Sequence, residues 1–590
     1  MEQNATSSRE SLPVILAAAV LQGWGLFGLH HAITTHTWPA TNLAWLLALY
    51  GVVVLIPVTI QLLAGQIRGG AASSIVALLA IAVFYFGWHH GSAVADFRDN
   101  RFAESGECFP LAVVLIVLWL LVMPFVQARL KMGRWTTDYG PLFDYAWRNA
   151  ITLAEAGVFT GLFWLLLFLW QSLFHMLRID FFRELFQEPI FVYPVTSLVF
   201  GCALHLIGSV ERLVSTVLEQ ILNVFKWLGT VSGLLLALFT LALIFRLPSL
   251  IFTGEKAIGA TWLLWLVAVV VLFLNAAYRD GAAGKPYPGW IAFALRMVIP
   301  LTVIVALTAA YALSLRTREY GLTVERFWGF IVAGAALIYS IGYARAAIGK
   351  GPWFAGIARV NVTVALALIG ALGLALTPIL SPYRLSAASQ YTLVMEGRFK
   401  PVDDRHRSGT AFHYLRFSAG AYGRRKLGEL AQLQNHPDAP RIRQLASAEL
   451  KLTNPWETVP EEPAANALAK MVIYPPGRTL DTELSQRLRA DLDDPKRRYM
   501  WTSAADAPIA GVFVDLSTDG SGSEEFVLLN GGSGLVYRKG AGGWSELGLA
   551  NGAGSVTQKR LLSDLARGDV SVKEPVWKDL WVGSHRIRVQ

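Results

Sequence analysis

The chain has 590 residues, of which 54% are hydrophobic and only 16% are charged, and its mean hydropathy is +0.44. Soluble proteins carry about 25% charged residues, so this composition excludes an ordinary water-soluble globule. The net charge of +9 is small for the length and comes without runs of basic and aromatic residues, which argues against a nucleic-acid partner, and two cysteines exclude a disulfide-rich scaffold.

Apolar runs recur through the first two thirds of the chain. A helix of about 20 apolar residues crosses a hydrocarbon core of about 30 Å. We predict eleven such spans, near residues 12–32, 42–64, 73–90, 109–128, 149–171, 190–209, 227–245, 257–277, 290–314, 325–344 and 357–380. The first run is too long for a signal-peptide core and is expected to remain as a span. Residues 210–226 alternate charged and apolar side chains and are expected to lie along the inner interface.

The basic residues of the loops predict the orientation. With the N-terminus in the cytoplasm, the inner loops hold 14 Lys and Arg residues and the outer loops hold 9, in the sense of the positive-inside rule. An odd number of spans then exports the tail. The predicted location is the inner membrane of a bacterium, with the N-terminus cytoplasmic and the C-terminal domain periplasmic or extracellular.

The tail has the composition of a soluble domain. Residues 381–590 contain 28 Lys/Arg and 24 Asp/Glu, against 23 and 18 in residues 1–380. Helical patterns lie between 419 and 492, and strand-like patterns begin near 508. The predicted fold is an α-helical polytopic membrane protein with a C-terminal soluble α+β domain that ends in a small β-sheet. Its parts are a transmembrane domain (1–380), a mainly helical region (381–500) and a β-rich subdomain (501–590).

Several short motifs occur in a recognisable order. They are Arg246-Leu-Pro248, Thr253-Gly254-Glu255-Lys256, Asn275-Ala-Ala-Tyr278, Glu325-Arg326-Phe327-Trp328, Tyr339 with Gly342-Tyr343, Ser381-Pro382-Tyr383-Arg384 with Gln390, Phe412-His-Tyr414-Leu-Arg416-Phe417, Gly420 and Tyr422-Gly423. Together they resemble the bacterial multi-pass membrane family known as domain of unknown function four-one-five-three, over roughly residues 200–430. The resemblance implies a polytopic bacterial membrane protein and no activity.

Motifs of the easily recognised enzymes are absent. The sequence has no phosphate-binding loop that ends in Gly-Lys-Ser/Thr, no G-x-G-x-x-G, no H-E-x-x-H and no G-x-S-x-G. Glu155 is the one carboxylate well inside a predicted span, and an ionisable group at that depth is a functional candidate. Because it lies seven residues from Arg148 on the same helix face, the alternative is a structural glutamate that pairs with Arg148 or reaches the interface.

Two patterns suggest metal ions. His30, His31, His89 and His90 follow the first and third spans, close to acidic residues, and such a group suits zinc; the alternative is interfacial anchoring by aromatic side chains. A calcium loop is predicted in the tail, with Asp515, Ser517, Asp519, Ser521 and Glu525 as oxygen ligands. It departs from the usual pattern at Ser517 and by two extra residues before Glu525, and the alternative is a polar hairpin loop that binds nothing.

Six charged residues are predicted to gather at the outer membrane face. They are Arg246, Glu255, Lys256, Glu325, Arg326 and Arg384. Charges at that depth are costly unless paired or hydrated. We expect one ion-pair cluster where the tail joins the bundle, either as a joint that orients the tail or as a binding site for an anionic headgroup or envelope precursor.

Three functions follow from these features. The first is an envelope scaffold or sensor, not an enzyme, whose exported tail binds a partner protein while the helices contact the lipid bilayer. The second is a transporter or a protein that handles lipids or envelope precursors, in which the prolines Pro57, Pro124 and Pro194 break helices along a path. The third, ranked last, is an enzyme of envelope synthesis that uses the outer histidines and aspartates.

Overall fold

The computed structural model describes most of the chain. The described residues are 2–65, 70–94, 108–209, 211–252, 259–281, 286–349, 352–398, 410–453, 464–494, 508–516, 524–530, 533–551, 558–572, 580–582 and 585–587. Contacts between Cα atoms divide the chain into two compact units. The first unit comprises residues 1–392 and 418–426, and the second comprises residues 393–417 and 427–590.

The first unit is built of helices that run back and forth. Its helices are α1 (Glu2–Thr34), α2 (Leu43–Leu63), α3 (Gly70–Val94), α4 (Cys108–Met132), α5 (Tyr139–Met176), α6 (Phe181–Leu185), α7 (Pro189–Ser209), α8 (Glu211–Phe252), α9 (Ala260–Tyr278), α10 (Gly289–Val298), α11 (Thr302–Tyr320), α12 (Val324–Ile348) and α13 (Ile357–Ala375). A 3₁₀ turn at Ile299–Leu301 joins α10 and α11 into one span. Within the described residues, eleven helical segments are long and apolar enough to cross a membrane. The predicted fold class and span count are therefore confirmed.

The stretch that was predicted to lie along the inner interface is part of a longer helix. Residues 211–226 open α8, which continues without a break for 42 residues, and the apolar part of α8 that is long enough to cross a membrane begins at Val214. Charged residues at the start of α8 do not interrupt a helix, because helix hydrogen bonds are formed by the backbone alone. Amphipathic spacing near a span is therefore compatible with a longer or tilted spanning helix.

Small residues bring the helices of the first unit close together. A Cβ atom on Gly91 would lie 2.6 Å from Ala44 Cα, so α3 packs its backbone directly on α2. In the same way a Cβ on Gly23 would lie 2.5 Å from Pro194 Cα, which places α1 on α7. Such contacts are the usual way in which membrane helices associate, because lipid provides no hydrophobic driving force between them.

The second unit contains short helices and a mixed sheet. Counting onward from α14 (Pro382–Met395), which begins in the first unit, the elements are α15 (Ala411–Phe417), α16 (Gly420–Ala431), α17 (Ala439–Lys451), α18 (Ala464–Ala469), β1 (Val472–Tyr474), α19 (Thr482–Asp493), β2 (Ala510–Val514), β3 (Glu525–Asn530), β4 (Ser533–Gly540), β5 (Gly543–Asn551), α20 (Gln558–Ala566), β6 (Leu580–Val582) and β7 (His585–Ile587). Five strands form a sheet in the order β1-β2-β3-β4-β5, and β6 pairs with β7. Only β1 and β2 are parallel.

Both faces of the five-stranded sheet are covered. Phe526 and Leu528 of β3 pack with Leu484 and Leu488 of α19 on one face. On the other face, strand residues that include Val527 form a smaller cluster with residues of α20. The side chain of Asp481 caps α19 by accepting the Leu484 N–H at 2.7 Å, and this bond, before those from Trp544 and Lys539, lowers the pKa of the Asp481 carboxyl.

Candidate functional site

The turn between α11 and α12 is held by side chains of α12 and α14. Arg326 Nη1 donates to the carbonyl oxygen of Gly321 at 2.7 Å. Gln390, which is fully buried on α14, donates from Nε2 to the carbonyls of Tyr320 at 3.0 Å and Leu322 at 3.2 Å. Carbonyls of a turn at the end of a membrane helix need such partners. These bonds therefore fix α14 to the end of the bundle.

The same end of the bundle receives α3 and the start of α16. Tyr383 on α14 is buried and packs edge-on against the ring of His90, with centroids 5.5 Å apart. Gly420 has a φ of +58°, and a Cβ there would lie 2.2 Å from the carbonyl oxygen of Ala93. Tyr422 joins the apolar cluster around Tyr383 and Ala93. We call this arrangement the α14 junction; it comprises Gly321, Arg326, Tyr383, Gln390, Gly420 and Tyr422.

The α14 junction contains part of the predicted charged cluster. Arg384 is exposed and donates from Nη2 to the carbonyl of Ile379 at 3.1 Å, and Glu325 is exposed beside Arg326. Arg246 lies inside α8 rather than in a loop. Glu255 and Lys256 lie outside the described residues. Of the six residues, Arg326 belongs to the α14 junction and Arg384 follows Tyr383 on α14, and both donate to backbone carbonyls.

Among the described residues, the four histidines do not come together as a metal site. His30 contacts Tyr193 of α7, with its Nδ1 3.2 Å from the Tyr193 hydroxyl, whereas His90 packs on Tyr383 of α14. His89 is buried and stacks on Tyr85 of its own helix. Within the described parts of the chain, no three His, Cys, Asp or Glu side chains are grouped as a metal ion would require. The structure shows these rings packed against aromatic residues.

Glu155 does not pair with Arg148. Arg148 Nε lies 3.8 Å from Asp144 Oδ2, one turn away on α5. Glu155 is half-buried, and its Oε2 atom has no hydrogen-bond partner among the described residues. The alternative in which Arg148 neutralises Glu155 is therefore not what the structure shows. A carboxyl group without a partner inside a membrane is energetically costly, and this cost makes it a functional candidate.

We expect Glu155→Gln to raise the stability of the protein. Removing an ionisable group from membrane depth should gain about 1–3 kcal/mol, because no partner is lost with it. Thermal unfolding in lipid nanodiscs at neutral pH measures the change. Glu219→Gln on α8 is the matched control, since Glu219 is exposed and its replacement should change little. A lower melting temperature for Glu155→Gln would show that the carboxylate makes a stabilising interaction.

Some polar side chains inside the first unit are paired with each other. Gln127 of α4 and Asn149 of α5 exchange two amide hydrogen bonds of 3.0 and 2.8 Å. Trp119 Nε1 donates to Thr59 Oγ1 at 2.8 Å. Gln61 of α2 differs: it is buried, and neither its Nε2 nor its Oε1 has a partner among the described residues. Leaving an amide unbonded in a hydrocarbon-like medium costs roughly 4–8 kcal/mol.

A second polar network joins four helices at the end of the bundle opposite the α14 junction. The Tyr343 hydroxyl of α12 lies 2.8 Å from Asn275 Oδ1 of α9 and 2.6 Å from Asn361 Oδ1 of α13. Asn361 Nδ2 donates to Asn275 Oδ1 at 2.7 Å and to the Tyr139 hydroxyl of α5 at 2.9 Å. Asn275 and Tyr343 belong to the motifs of the family resemblance. Asn361 and Tyr139 were missed, although polar residues inside apolar runs were a usable signal.

The predicted calcium loop lies largely outside the described residues, which include Asp515 and Glu525 but not Ser517, Asp519 and Ser521. Both carboxylate oxygens of Glu525 are engaged. Oε1 accepts from Arg538 Nε at 2.7 Å, and Oε2 accepts from the Leu516 N–H at 2.7 Å. Calcium binding at Glu525 would have to displace these bonds, and the calcium site stays a prediction.

A buried group of ionisable side chains in the second unit was also missed. His413 Nδ1 of α15 lies 3.5 Å from Glu449 Oε2 of α17, and both residues are buried. Arg416, also buried, donates from Nη2 to the carbonyl of Leu452 at 2.9 Å. Buried ionisable side chains usually have a polar group close by. The group therefore ties α15 to α17 within the second unit.

Comparison with protein-family models, curated proteins and solved structures found no match. The resemblance to the bacterial multi-pass family therefore stays a prediction. The functional interpretation depends on the geometry of the α14 junction and of the intramembrane polar residues.

Proposed function

We propose that the protein is a sensor or scaffold of the bacterial envelope. It resides in the inner membrane with its N-terminus in the cytoplasm, and its second unit is exported and binds a partner protein. The excess of basic residues in the inner loops and the odd number of spans support this orientation.

The α14 junction is the observation that carries the proposal. The helix α14 begins in the first unit and ends in the second, and α16 does the same. Within the first unit, α14 is held by the hydrogen bonds of Gln390, and α16 by the close approach of its first residue, Gly420, to Ala93. The chain therefore passes from the first unit to the second within two helices. Such links suit a protein that reports or holds a partner on one side of a membrane.

The second unit has the independent cores that a binding domain needs. Its sheet buries Phe526 and Tyr537, and α19 and α20 cover its faces. The strand β5 forms one edge of the sheet and exposes Leu547 and Leu549, each 55% accessible. An exposed edge with apolar side chains is a common place for a partner strand or loop.

A cysteine at Leu547 tests orientation and partner binding together. Leu547→Cys, in a chain with Cys108 and Cys202 replaced by serine, should react with a membrane-impermeant maleimide in intact spheroplasts. With a photoactivatable maleimide, the same variant should give one crosslinked adduct of defined mass. The control is a cysteine at lipid-facing Leu165, labelled in the same background after solubilisation, which should give no such adduct. Labelling of Leu547→Cys only after lysis, or no specific adduct, would refute the proposal.

The second candidate is transport, or handling of lipids or envelope precursors. The unpartnered Glu155 oxygen favours it, because intramembrane carboxyl groups commonly mark pathways. The prolines favour it less than the sequence suggested. Pro194 lies against Gly23 in a close helix contact, and Gln22 donates to the Val54 carbonyl three residues before Pro57. For this candidate, Arg326 and Arg384 are the cations nearest an anionic headgroup at the α14 junction.

A further inference from the structure

The seam between α1, α2 and α7 contains two glutamines whose hydrogen bonds are incomplete. Gln61 is only 4% exposed, and both polar atoms of its side chain lack a partner among the described residues. Gln22 is 7% exposed, and its Oε1 lacks one as well. Neither residue is part of the α14 junction, and neither is needed for the proposed function.

The amide nitrogen of Gln22 has a structural role. Its Nε2 donates to the carbonyl oxygen of Val54 at 3.1 Å. Pro57, three residues further along α2, has no N–H for the Val53 carbonyl, so the helix ladder is weakened next to the bond from Gln22. A side-chain donor beside a proline is a usual remedy in membrane helices. The Oε1 atom of Gln22 has no such role.

The two side chains belong to one seam. Ile15, Ala19 and Gln22 are spaced at four and three residues and therefore share a face of α1. Val54, which Gln22 contacts, and Gln61 are seven residues apart and share a face of α2. Two helical turns separate them, a distance of about 10 Å. The seam between these two faces therefore carries a carboxamide at each end.

The third wall of the seam is α7. A Cβ built on Gly201 would lie 2.8 Å from Ala19 Cβ and 3.7 Å from Gln61 Nε2. Ile15 Cγ2 would lie 3.7 Å from the Cβ built on Gly201. Around the built Cβ, the nearest atoms besides the Gln61 amide nitrogen are thus aliphatic carbons of α1.

We propose that Gln61 and Gln22 hold internal water molecules in this seam. A carboxamide needs a ligand that both accepts and donates hydrogen bonds, and water does both in the smallest volume. An aliphatic residue would suit these walls better than an empty amide, because an unbonded buried amide is costly. The other buried amide pair of this half of the bundle, Gln127 with Asn149, is complete without a ligand. The seam is thus a hydrated site at membrane depth, separate from the α14 junction.

Cysteine reactivity reports hydration at this position. In the full-length protein with Cys108 and Cys202 replaced by serine, Gln61→Cys should react with a small neutral methanethiosulfonate. Leu63→Cys is the matched control, because Leu63 lies two residues away on the same helix and is fully buried in an apolar cluster. Only the thiolate reacts, and apolar surroundings suppress it, so Gln61→Cys should react at least about tenfold faster than Leu63→Cys.

Equal and slow reaction of the two cysteines overturns the proposal. A second measurement covers the case in which Gln61→Cys fails to fold. The melting temperature of Gln61→Leu should stay at or below that of the parent protein, because water already satisfies the amide. A melting temperature several degrees above the parent would mean that the seam is dry and the amide unsatisfied, which also overturns the proposal.

Discussion

Replacing Gly420 with alanine should strongly destabilise the first unit. Gly420 has a φ of +58°, and an added Cβ would meet the Ala93 carbonyl oxygen at 2.2 Å. A left-handed conformation costs a non-glycine residue of order 1–3 kcal/mol. The contact with a backbone oxygen adds to this, because neither α3 nor α16 can yield by rotating a side chain. We expect a total loss of about 3 kcal/mol or more, measured by thermal unfolding of the full chain in nanodiscs.

Gly428 provides a control in the same helix. A Cβ at Gly428 would have no heavy atom within 4 Å. Gly428→Ala should therefore stabilise α16 by about 0.5–1 kcal/mol, as expected for glycine replaced inside a helix. The two alanine substitutions are thus expected to have opposite signs. Similar small effects at both positions would show that α16 does not lie against α3.

The same substitution bears on the proposed function. If the second unit acts on the bundle through α14 and α16, Gly420→Ala should weaken the link through α16 and leave Gln390 and α14 in place. Partner capture at Leu547→Cys should then persist, because β5 belongs to the second unit. Loss of capture together with normal folding would indicate that the attachment of α16 is needed for partner binding.

The membrane helices followed from the sequence because their signal is local. A run of about 20 apolar residues is sufficient to form a spanning helix, whatever the rest of the chain does. The boundary of the first unit along the chain was harder to predict from the sequence. Residues 382–392 and 418–426 are polar enough to be assigned to the tail, yet they belong to the first unit because Gln390, Tyr383 and Gly420 fasten them there.

Strands were predicted where residues alternate and missed where they do not. The strands β2, β3 and β4 have the β-branched and aromatic residues of buried strands. In contrast, β5 contains Gly543, Glu546 and Gly548, and as an edge strand it needs no continuous apolar face. The strand β1 has only three residues and depends on pairing with β2, 38 positions later in register.

The predicted charged cluster shows why long-range chemistry is hard to derive from sequence. The topology predicted that Arg326 and Arg384 lie at the same end of the bundle. It could not show that both guanidinium groups would donate to backbone carbonyls, because such partners leave no trace in side-chain patterns. The network of Tyr139, Asn275 and Asn361 joins residues up to 222 positions apart, so local spacing could not reveal it.

Replacing Tyr343 with phenylalanine should break the core of this second network. Its hydroxyl lies 2.8 Å from Asn275 Oδ1 and 2.6 Å from Asn361 Oδ1. A hydroxyl group has one proton, so it donates to one of the two amide oxygens at a time and lies within hydrogen-bond distance of both. Without it, both oxygens remain buried with one donor fewer. We expect a loss of about 1–3 kcal/mol in thermal unfolding, the usual cost of leaving a buried polar group unsatisfied.

Tyr339→Phe is the matched control for Tyr343→Phe. Tyr339 lies one turn away on α12, with its ring centroid 5.6 Å from that of Tyr343. The substitution Tyr339→Phe also removes a tyrosine hydroxyl from α12. Among the described residues, however, no hydrogen bond joins Tyr339 to Asn275 or Asn361. If the network is what holds α9, α12 and α13 together at this end, Tyr339→Phe should cost less than half as much. In the background of Asn361→Leu, the cost of Tyr343→Phe should also fall, because its partner is already gone. Equal losses for the two phenylalanine variants, or full additivity with Asn361→Leu, would show that the packing of the rings stabilises this end and that the hydrogen bonds do not.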